Sequence, residues 1–172
     1  MVMILKPQDV VILLAISLPR EIEQTNRSLA ADLFMSTSEI SEGINRLRSA
    51  RLLRSDTKKP IKRAAEEFLI SGVKYAYPPE RGGPTRGMPT SYAAPPLAGL
   101  IVQPDSAPPV WPDPEGQVRG YQFSPLFKTV PQAASKNVYL YELLTLIDAI
   151  RDGRPREAEL AVQELKKRLY PV

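Results

Sequence analysis

The chain has 172 residues, of which 43% are hydrophobic, enough to bury one core or two small ones and too few for a large multidomain enzyme. It contains no cysteine and no histidine, which excludes disulfides, thiolate or imidazole metal ligands, cysteine nucleophiles and Ser-His-Asp triads. The net charge is +4, and 18 prolines stand against 9 glycines, so part of the chain must be irregular.

Proline divides the chain into three segments. Three prolines lie in residues 1–77, thirteen in residues 78–131 and two after that. Because an interior proline costs a helix about 3 kcal/mol, we expect helices at both ends and an extended middle. The predicted units are residues 1–76, a proline-rich segment over residues 77–131, and a C-terminal helical unit over residues 132–172.

The first helix is predicted from Pro7 to Leu18, with proline in its first turn and few polar positions. Its apolar run is far shorter than the ~20 residues that span a bilayer. No small-residue cleavage site follows, so a signal peptide is not expected either. We therefore expect no membrane contact and a cytoplasmic location.

Residues 26–50 have the pattern of two short helices joined by a turn. Residues 26–35 carry a one-sided apolar stripe of Leu29, Ala30, Leu33 and Phe34. The sequence Ser36-Thr-Ser-Glu39 has the form of a capping box, which predicts a second helix over about residues 37–50. Its buried face would consist of Ile40, Ile44 and Leu47. This arrangement is typical of a helix-turn-helix.

The run SLAADLFMSTSEISEGINRLRSARLLR resembles the helix-turn-helix of winged-helix transcriptional regulators, most closely the MarR-like group. The positions that carry the resemblance are Leu29, Ala30, Leu33, Ser36, Ile40, Ser41, Ile44, Leu47, Leu52 and Leu53. The resemblance covers residues 7–70 and implies a winged-helix DNA-binding domain and a homodimer formed by terminal helices. Phe34 stands where the family usually has glycine, and the stretch between Leu53 and Ile61 is short for a wing. Residues 61–76 predict another helix.

The basic charge is concentrated in one segment. Arg46 to Arg63 contains eight basic residues and one acid, a net +7, while the rest of the chain carries −3. We predict that Ser38, Ser41, Asn45 and Arg46 read base edges. The cations predicted to complete the DNA-binding surface are Arg48, Arg51, Arg54, Lys58, Lys59, Lys62 and Arg63. The alternative is a solvated charged face, and Glu42 on the same helix opposes DNA binding.

The middle segment has two Arg-Gly motifs, Arg81-Gly-Gly83 and Arg86-Gly87, which we interpret as turns because two copies are too few for an RNA-binding tract. The sequence Asp113-Pro-Glu-Gly116 fits a type I turn. It predicts a possible β-hairpin over residues 109–123, with Trp111, Tyr121 and Phe123 covering a core. A pocket for an effector, lined by Tyr75, Tyr77, Tyr92 or Trp111, is an alternative use of the aromatic residues.

The C-terminal unit reads as a helical hairpin. One helix is predicted from Asn137 to Arg151, broken at Asp152-Gly153, and a second from Pro155 to Leu169. The first of the two is apolar on most faces, so it must pack on the rest of the chain or on another subunit. Its Asp148 is expected on the helix surface or paired with Arg151.

The predicted fold class is therefore mainly α with small β: a winged helix-turn-helix, a proline-rich middle and a C-terminal helical hairpin. The predicted function is sequence-specific binding of double-stranded DNA by a homodimeric transcriptional regulator, expected to repress. The alternative is a winged-helix adaptor or antitoxin-like partner of a neighbouring gene product. No catalytic residues, metal or cofactor are expected, because no pair of acid and base groups lies in an apolar motif.

Overall fold

The computed structural model describes residues 3–169. The apolar helix Pro7–Ser17 lies at its centre, and the other elements pack around that helix. The helices are α1 (Pro7–Ser17), α2 (Asn26–Leu33), α3 (Thr37–Ser49), α4 (Lys62–Glu67), α5 (Val73–Ala76), α6 (Val130–Lys136), α7 (Val138–Asp152) and α8 (Pro155–Leu169). The strands are β1 (Arg81–Pro89), β2 (Pro109–Pro112) and β3 (Val118–Phe123). Predominantly helical structure with a small sheet confirms the coarse fold class.

Helix α1 confirms the first predicted element. Residues 10–14 are fully buried, and α1 contacts α2, α3 and α7. Apolar side chains of all three predicted units join one core cluster, from Val10 in α1 through Trp111 in β2 to Leu165 in α8. No helix within residues 3–169 has the length and apolarity needed to cross a membrane.

The helix predicted over residues 61–76 is present and contains a π-helical turn, Phe68–Gly72, between α4 and α5. The buried residues Ala65, Leu69 and Val73 lie four apart and form its inner face. The helix ends before Pro78, as expected where a proline follows.

The hairpin predicted over residues 109–123 is wrong. β2 and β3 both pair antiparallel with β1, so they run parallel to each other and the three strands close into a small barrel. The turn itself forms, since the Gly116 N–H donates to the Asp113 carbonyl over 2.9 Å. Strand β1 covers residues that we interpreted as turns. Gly87 fits there because a Cβ would collide with the Trp111 carbonyl oxygen.

A buried carboxylate joins the sheet to α7. Asp148 is 2% exposed and accepts hydrogen bonds from Thr90 Oγ1 (2.6 Å), Trp111 Nε1 (2.7 Å) and Arg151 Nη1 (2.7 Å). Arg151 also donates to the Tyr77 carbonyl over 2.8 Å. The predicted pair with Arg151 is confirmed, and the surface position predicted for Asp148 is wrong.

The predicted C-terminal helical hairpin is present. The Asn137 side chain caps α7, and Gly153 ends it with φ 79°, a conformation that favours glycine. Residues 143–150 of α7 are buried within this single chain, and α7 contacts α1, α5, α6 and α8. The chain thus supplies the cover that α7 requires. Helix α6, which precedes it, was not predicted.

Candidate nucleic-acid interface

Helices α2 and α3 are the two short helices predicted over residues 26–50, and a short turn joins them. Thr25 caps α2 by accepting from the Ser28 N–H over 3.0 Å. The predicted capping box at α3 is confirmed: the Ser36 hydroxyl accepts from the Glu39 N–H (3.0 Å), and a Glu39 carboxylate oxygen accepts from the Ser36 N–H (2.9 Å). Both helices therefore begin at sequence-encoded caps, which fix where the turn between them lies.

Phe34 occupies the turn in a left-handed conformation, with φ 55° and ψ 41°. Phe34, at the position where the resemblance to MarR-like proteins implies a glycine, thus adopts the left-handed conformation that glycine favours. The left-handed turn directs the ring away from the core, where it is 47% exposed with Lys136 Nζ 5.9 Å from its centroid. The prediction that Phe34 belongs to the apolar stripe of α2 is therefore wrong.

The exposed face of α3 carries the short polar side chains predicted to read DNA. Ile40, Ile44 and Leu47 are buried as predicted, and Ser38, Ser41 and Asn45 are exposed. Glu42 is exposed as well. Hydroxyl and amide groups at these positions can donate to and accept from base edges in a major groove.

Arg46 departs from its predicted role. Its guanidinium is buried and donates from Nε and Nη2 to the two carboxylate oxygens of Asp9 in α1, over 2.7 and 2.9 Å. The hydrogen bond to Asp9 raises the pKa of Arg46 above its ordinary value. Because both groups lie inside the fold, Arg46 positions α3 and does not present its side chain to a ligand. Arg46 was predicted on the exposed face of α3 because it follows Asn45 directly. The sequence feature that could have indicated its partner is Asp9, an acidic residue within the otherwise apolar helix α1.

Close contact between α1 and α3 depends on a glycine. A Cβ on Gly43 would overlap Ile12 Cδ1 and lie 2.9 Å from Asp9 Oδ1. Gly43 therefore permits the helix approach at which Arg46 reaches Asp9. Neither Asp9 nor Gly43 is among the residues that the sequence predicted to shape the site.

Helix α3 ends in a Schellman motif whose left-handed position is occupied by an arginine. The Leu52 N–H donates to the Leu47 carbonyl and the Arg51 N–H to the Arg48 carbonyl, each over 2.9 Å. Arg51 has φ 63°, a conformation that costs a residue with a Cβ about 1–2 kcal/mol. Its side chain is exposed, so a cation is held at the helix end despite an unfavourable backbone conformation.

The segment after α3 forms a short loop where the resemblance to winged helices implies a wing hairpin. Leu53 and Pro60 make one isolated antiparallel bridge, and the Arg54 N–H donates to the Lys59 carbonyl over 2.9 Å. Two contacts brace the tip: Arg48 donates to the Thr57 carbonyl (3.0 Å), and Glu23 accepts from the Lys58 N–H (2.8 Å). Arg48, which was predicted to contact DNA, therefore uses its guanidinium to hold the loop in place.

The structure brings the remaining predicted cations together around this short loop and the start of α4. Arg51, Arg54, Lys59, Lys62 and Arg63 are exposed, and Lys58 is partly exposed. Within residues 3–169, no carboxylate lies within 4 Å of the charged groups of Arg51, Arg54, Lys58, Lys59 or Arg63. We call the six residues the basic loop surface. The five of them without a carboxylate neighbour, Arg51, Arg54, Lys58, Lys59 and Arg63, therefore remain available to anions in solution.

The aromatic residues that could line an effector pocket differ in their exposure to solvent. Trp111 and Tyr92 are buried, whereas Tyr75 is exposed. A cavity of about 700 Å³ lies elsewhere, between the end of α1 and the start of α7. Its rim includes the exposed side chains of Val138 and Tyr139.

Comparison with models of known protein families, with curated proteins and with solved structures gives no match to this chain. The functional proposal therefore depends on the geometry of the residues themselves.

Proposed function

We propose that this protein binds double-stranded DNA in a sequence-specific manner and regulates transcription, with repression as the expected mode. Helix α3 enters the major groove in this proposal, and the MarR-like winged-helix group is the family it would resemble. The observation that carries the proposal is the juxtaposition of a polar exposed α3 face with the basic loop surface that follows it in the chain.

The two surfaces would divide the work of recognition. Ser38, Ser41 and Asn45 are short enough to let α3 approach the base edges, and an asparagine can bind adenine through two hydrogen bonds. The basic loop surface would bind phosphates, which fix the register of the protein but carry no sequence information. Arg46 and Asp9 support the arrangement from behind by holding α3 against α1.

Glu42 is consistent with this proposal in one way. A carboxylate on the exposed face of α3 repels phosphates, which opposes DNA binding. The same carboxylate can, however, accept a hydrogen bond from the exocyclic amine of cytosine, which would favour a site containing that base. Glu39, the other acid of the helix, binds the backbone N–H of Ser36 and is therefore engaged in the cap.

The test is a binding titration with a labelled duplex from upstream of the protein's own gene, repeated over a range of KCl concentrations. We expect affinity to fall linearly on a logarithmic salt scale, with a slope of about −0.9 per phosphate contacted. Arg54→Gln and Lys59→Gln should each reduce the slope by about one. Arg156→Gln, an exposed cation at the start of α8, is the matched control and should leave it unchanged. Absence of binding at low salt would refute the proposal.

We also propose that the protein acts as a homodimer. A dimer would present two α3 helices to half-sites about one helical turn apart. The buried face of α7 is covered within the chain, so a dimer would use what remains exposed, such as Val138 and Tyr139 beside the cavity. Light scattering should give twice the monomer mass of 19.1 kDa.

The same exposed apolar side chains favour a second candidate function, that of an adaptor or antitoxin-like partner of a neighbouring gene product. Exposed apolar residues around a concavity are typical of protein interaction sites. Co-expression with the adjacent gene product tests it: a stoichiometric complex that Tyr139→Ser weakens would support the adaptor, and separate elution would refute it.

A further inference from the structure

The small sheet carries two arginines that face each other on its outer surface. Arg86 in β1 and Arg119 in β3 are directly opposed in the antiparallel register, and both are exposed. The next pair, Thr85 and Gly120, lies on the other face, where a Cβ on Gly120 would collide with the Pro108 carbonyl oxygen. Because side chains alternate along a strand, Arg86 and Arg119 point away from the barrel interior.

This pair is unfavourable for the sheet by itself. Like charges directly opposite each other on neighbouring strands destabilise the pairing. Within residues 3–169, neither guanidinium has a carboxylate within 4 Å. Arg81, on the same strand, provides the contrast, because it pairs with Asp152 and lies 5.5 Å from the centroid of the Tyr121 ring. The sheet therefore neutralises one arginine and leaves two opposed arginines open.

The acids of the adjoining turn do not supply the missing partner. The Asp113 carboxylate accepts from the Glu115 N–H over 3.0 Å and stabilises its own turn. The Asp113 N–H donates to the Arg86 carbonyl over 3.1 Å, so the turn contacts the backbone of β1. An external anion is left as the partner for the two side chains.

We propose that Arg86 and Arg119 together bind a phosphate of the DNA backbone, as a second contact distinct from α3 and the basic loop surface. Opposed residues on antiparallel strands have Cα atoms about 4.5–5.5 Å apart, so two guanidinium groups can converge on one phosphate. The planar fork of donors on each group matches the oxygens of that ligand. This inference depends on the proposed function, because it assigns the anion to duplex DNA.

The experiment is a salt-dependent binding titration with a labelled duplex of about three helical turns. The proteins compared are the full chain, Arg86→Gln, Arg119→Gln, the double variant, and Arg156→Gln as a control that removes one exposed positive charge. We expect the double variant to bind about 10-fold more weakly at low salt and its salt slope to be smaller by about 0.9. A Ser41→Ala/Asn45→Ala variant should retain the full slope and lose sequence preference.

The outcomes separate the two proposals. If the double variant binds like the unmodified chain while Arg54→Gln and Lys59→Gln weaken binding, the arginine pair is not a DNA contact and the proposed function stands. If Arg156→Gln weakens binding as much as either single arginine variant, the loss reflects overall charge and the inference fails. If the unmodified chain binds no duplex at any salt concentration, both proposals fail.

Discussion

Arg46 of α3 and Asp9 of α1 form a buried ion pair joined by two hydrogen bonds, with Nε and Nη2 of the guanidinium 2.7 and 2.9 Å from the carboxylate oxygens. The same carboxylate accepts from the Lys6 N–H over 2.9 Å and so caps the first turn of α1. One side chain thus fixes the start of the central helix and the rotation of α3, which determines the residues that α3 exposes.

Removing Arg46 should destabilise the fold. Arg46→Ala leaves Asp9, 1% exposed, as a buried and partly unpaired charge, and such a loss costs about 3–5 kcal/mol. Denaturant unfolding measures the change in free energy, with the exposed Arg54→Ala as a control expected within about 0.5 kcal/mol. In a double-mutant cycle, adding Asp9→Ala should recover part of the loss; full additivity would show that the pair does not act as a unit.

Gly43→Ala should also destabilise the protein, because the new methyl group overlaps Ile12 Cδ1 in the core and approaches Asp9. We expect a loss of about 1–3 kcal/mol, the usual range for overpacking. Gly83→Ala is the control, since a Cβ there meets nothing within 4 Å. Equal unfolding midpoints for the two variants would show that α1 and α3 are not in close contact at Gly43.

Arg51→Gly should raise stability while weakening the proposed DNA binding. Glycine adopts the left-handed conformation at this position without steric cost, so unfolding should require about 1 kcal/mol more free energy. Loss of the cation should weaken DNA binding and reduce the salt slope by about one. Arg51→Lys keeps the charge and the backbone strain, so it should change neither quantity much. An Arg51→Gly variant that is less stable than the original chain would contradict the assignment of strain.

Stability should fall in alkaline solution. Burial raises the pKa of Tyr141 to about 12, above the value of about 10 for an unfolded chain. Below pH 10 both states keep the proton; between about pH 10 and 12 only the unfolded state loses it, so stability decreases over that interval.

The variant that tests this pH dependence is Tyr141→Phe. It should lose about 1 kcal/mol at neutral pH, because the phenol donates to the Pro89 carbonyl over 2.7 Å, and its decline above pH 10 should be shallower. Tyr139→Phe, an exposed position on the same helix, is the control. Parallel declines for Tyr141→Phe and the original chain would contradict the expected role of Tyr141.

Much of the helical structure could be predicted because its signals are local. Three predicted helix boundaries depend on neighbouring residues only, and each is confirmed. They are the capping box of Ser36 and Glu39, the start of α8 at Pro155 and the end of α7 at Gly153. The spacing of Ile40, Ile44 and Leu47 likewise identified the buried face of α3.

The remaining features depend on contacts distant in sequence. β1 contains three glycines and two prolines, residues that are uncommon in strands, so the sequence does not predict a strand there. Its register with β2 and β3 depends on close backbone approaches at Gly87 and Gly120. Arg46 was misplaced because its partner lies 37 residues away. The helical spacing alone does not distinguish a buried, ion-paired arginine from an exposed one.

The most direct test of the central claim, that α3 reads DNA sequence, is selection of binding sites from a random double-stranded pool. We predict that the unmodified chain enriches one motif, and that Ser41→Ala/Asn45→Ala, with Arg46 and the basic loop surface intact, still binds duplex DNA but enriches no motif. Binding without enrichment by the unmodified chain, or the same motif recovered by the variant, would contradict the claim.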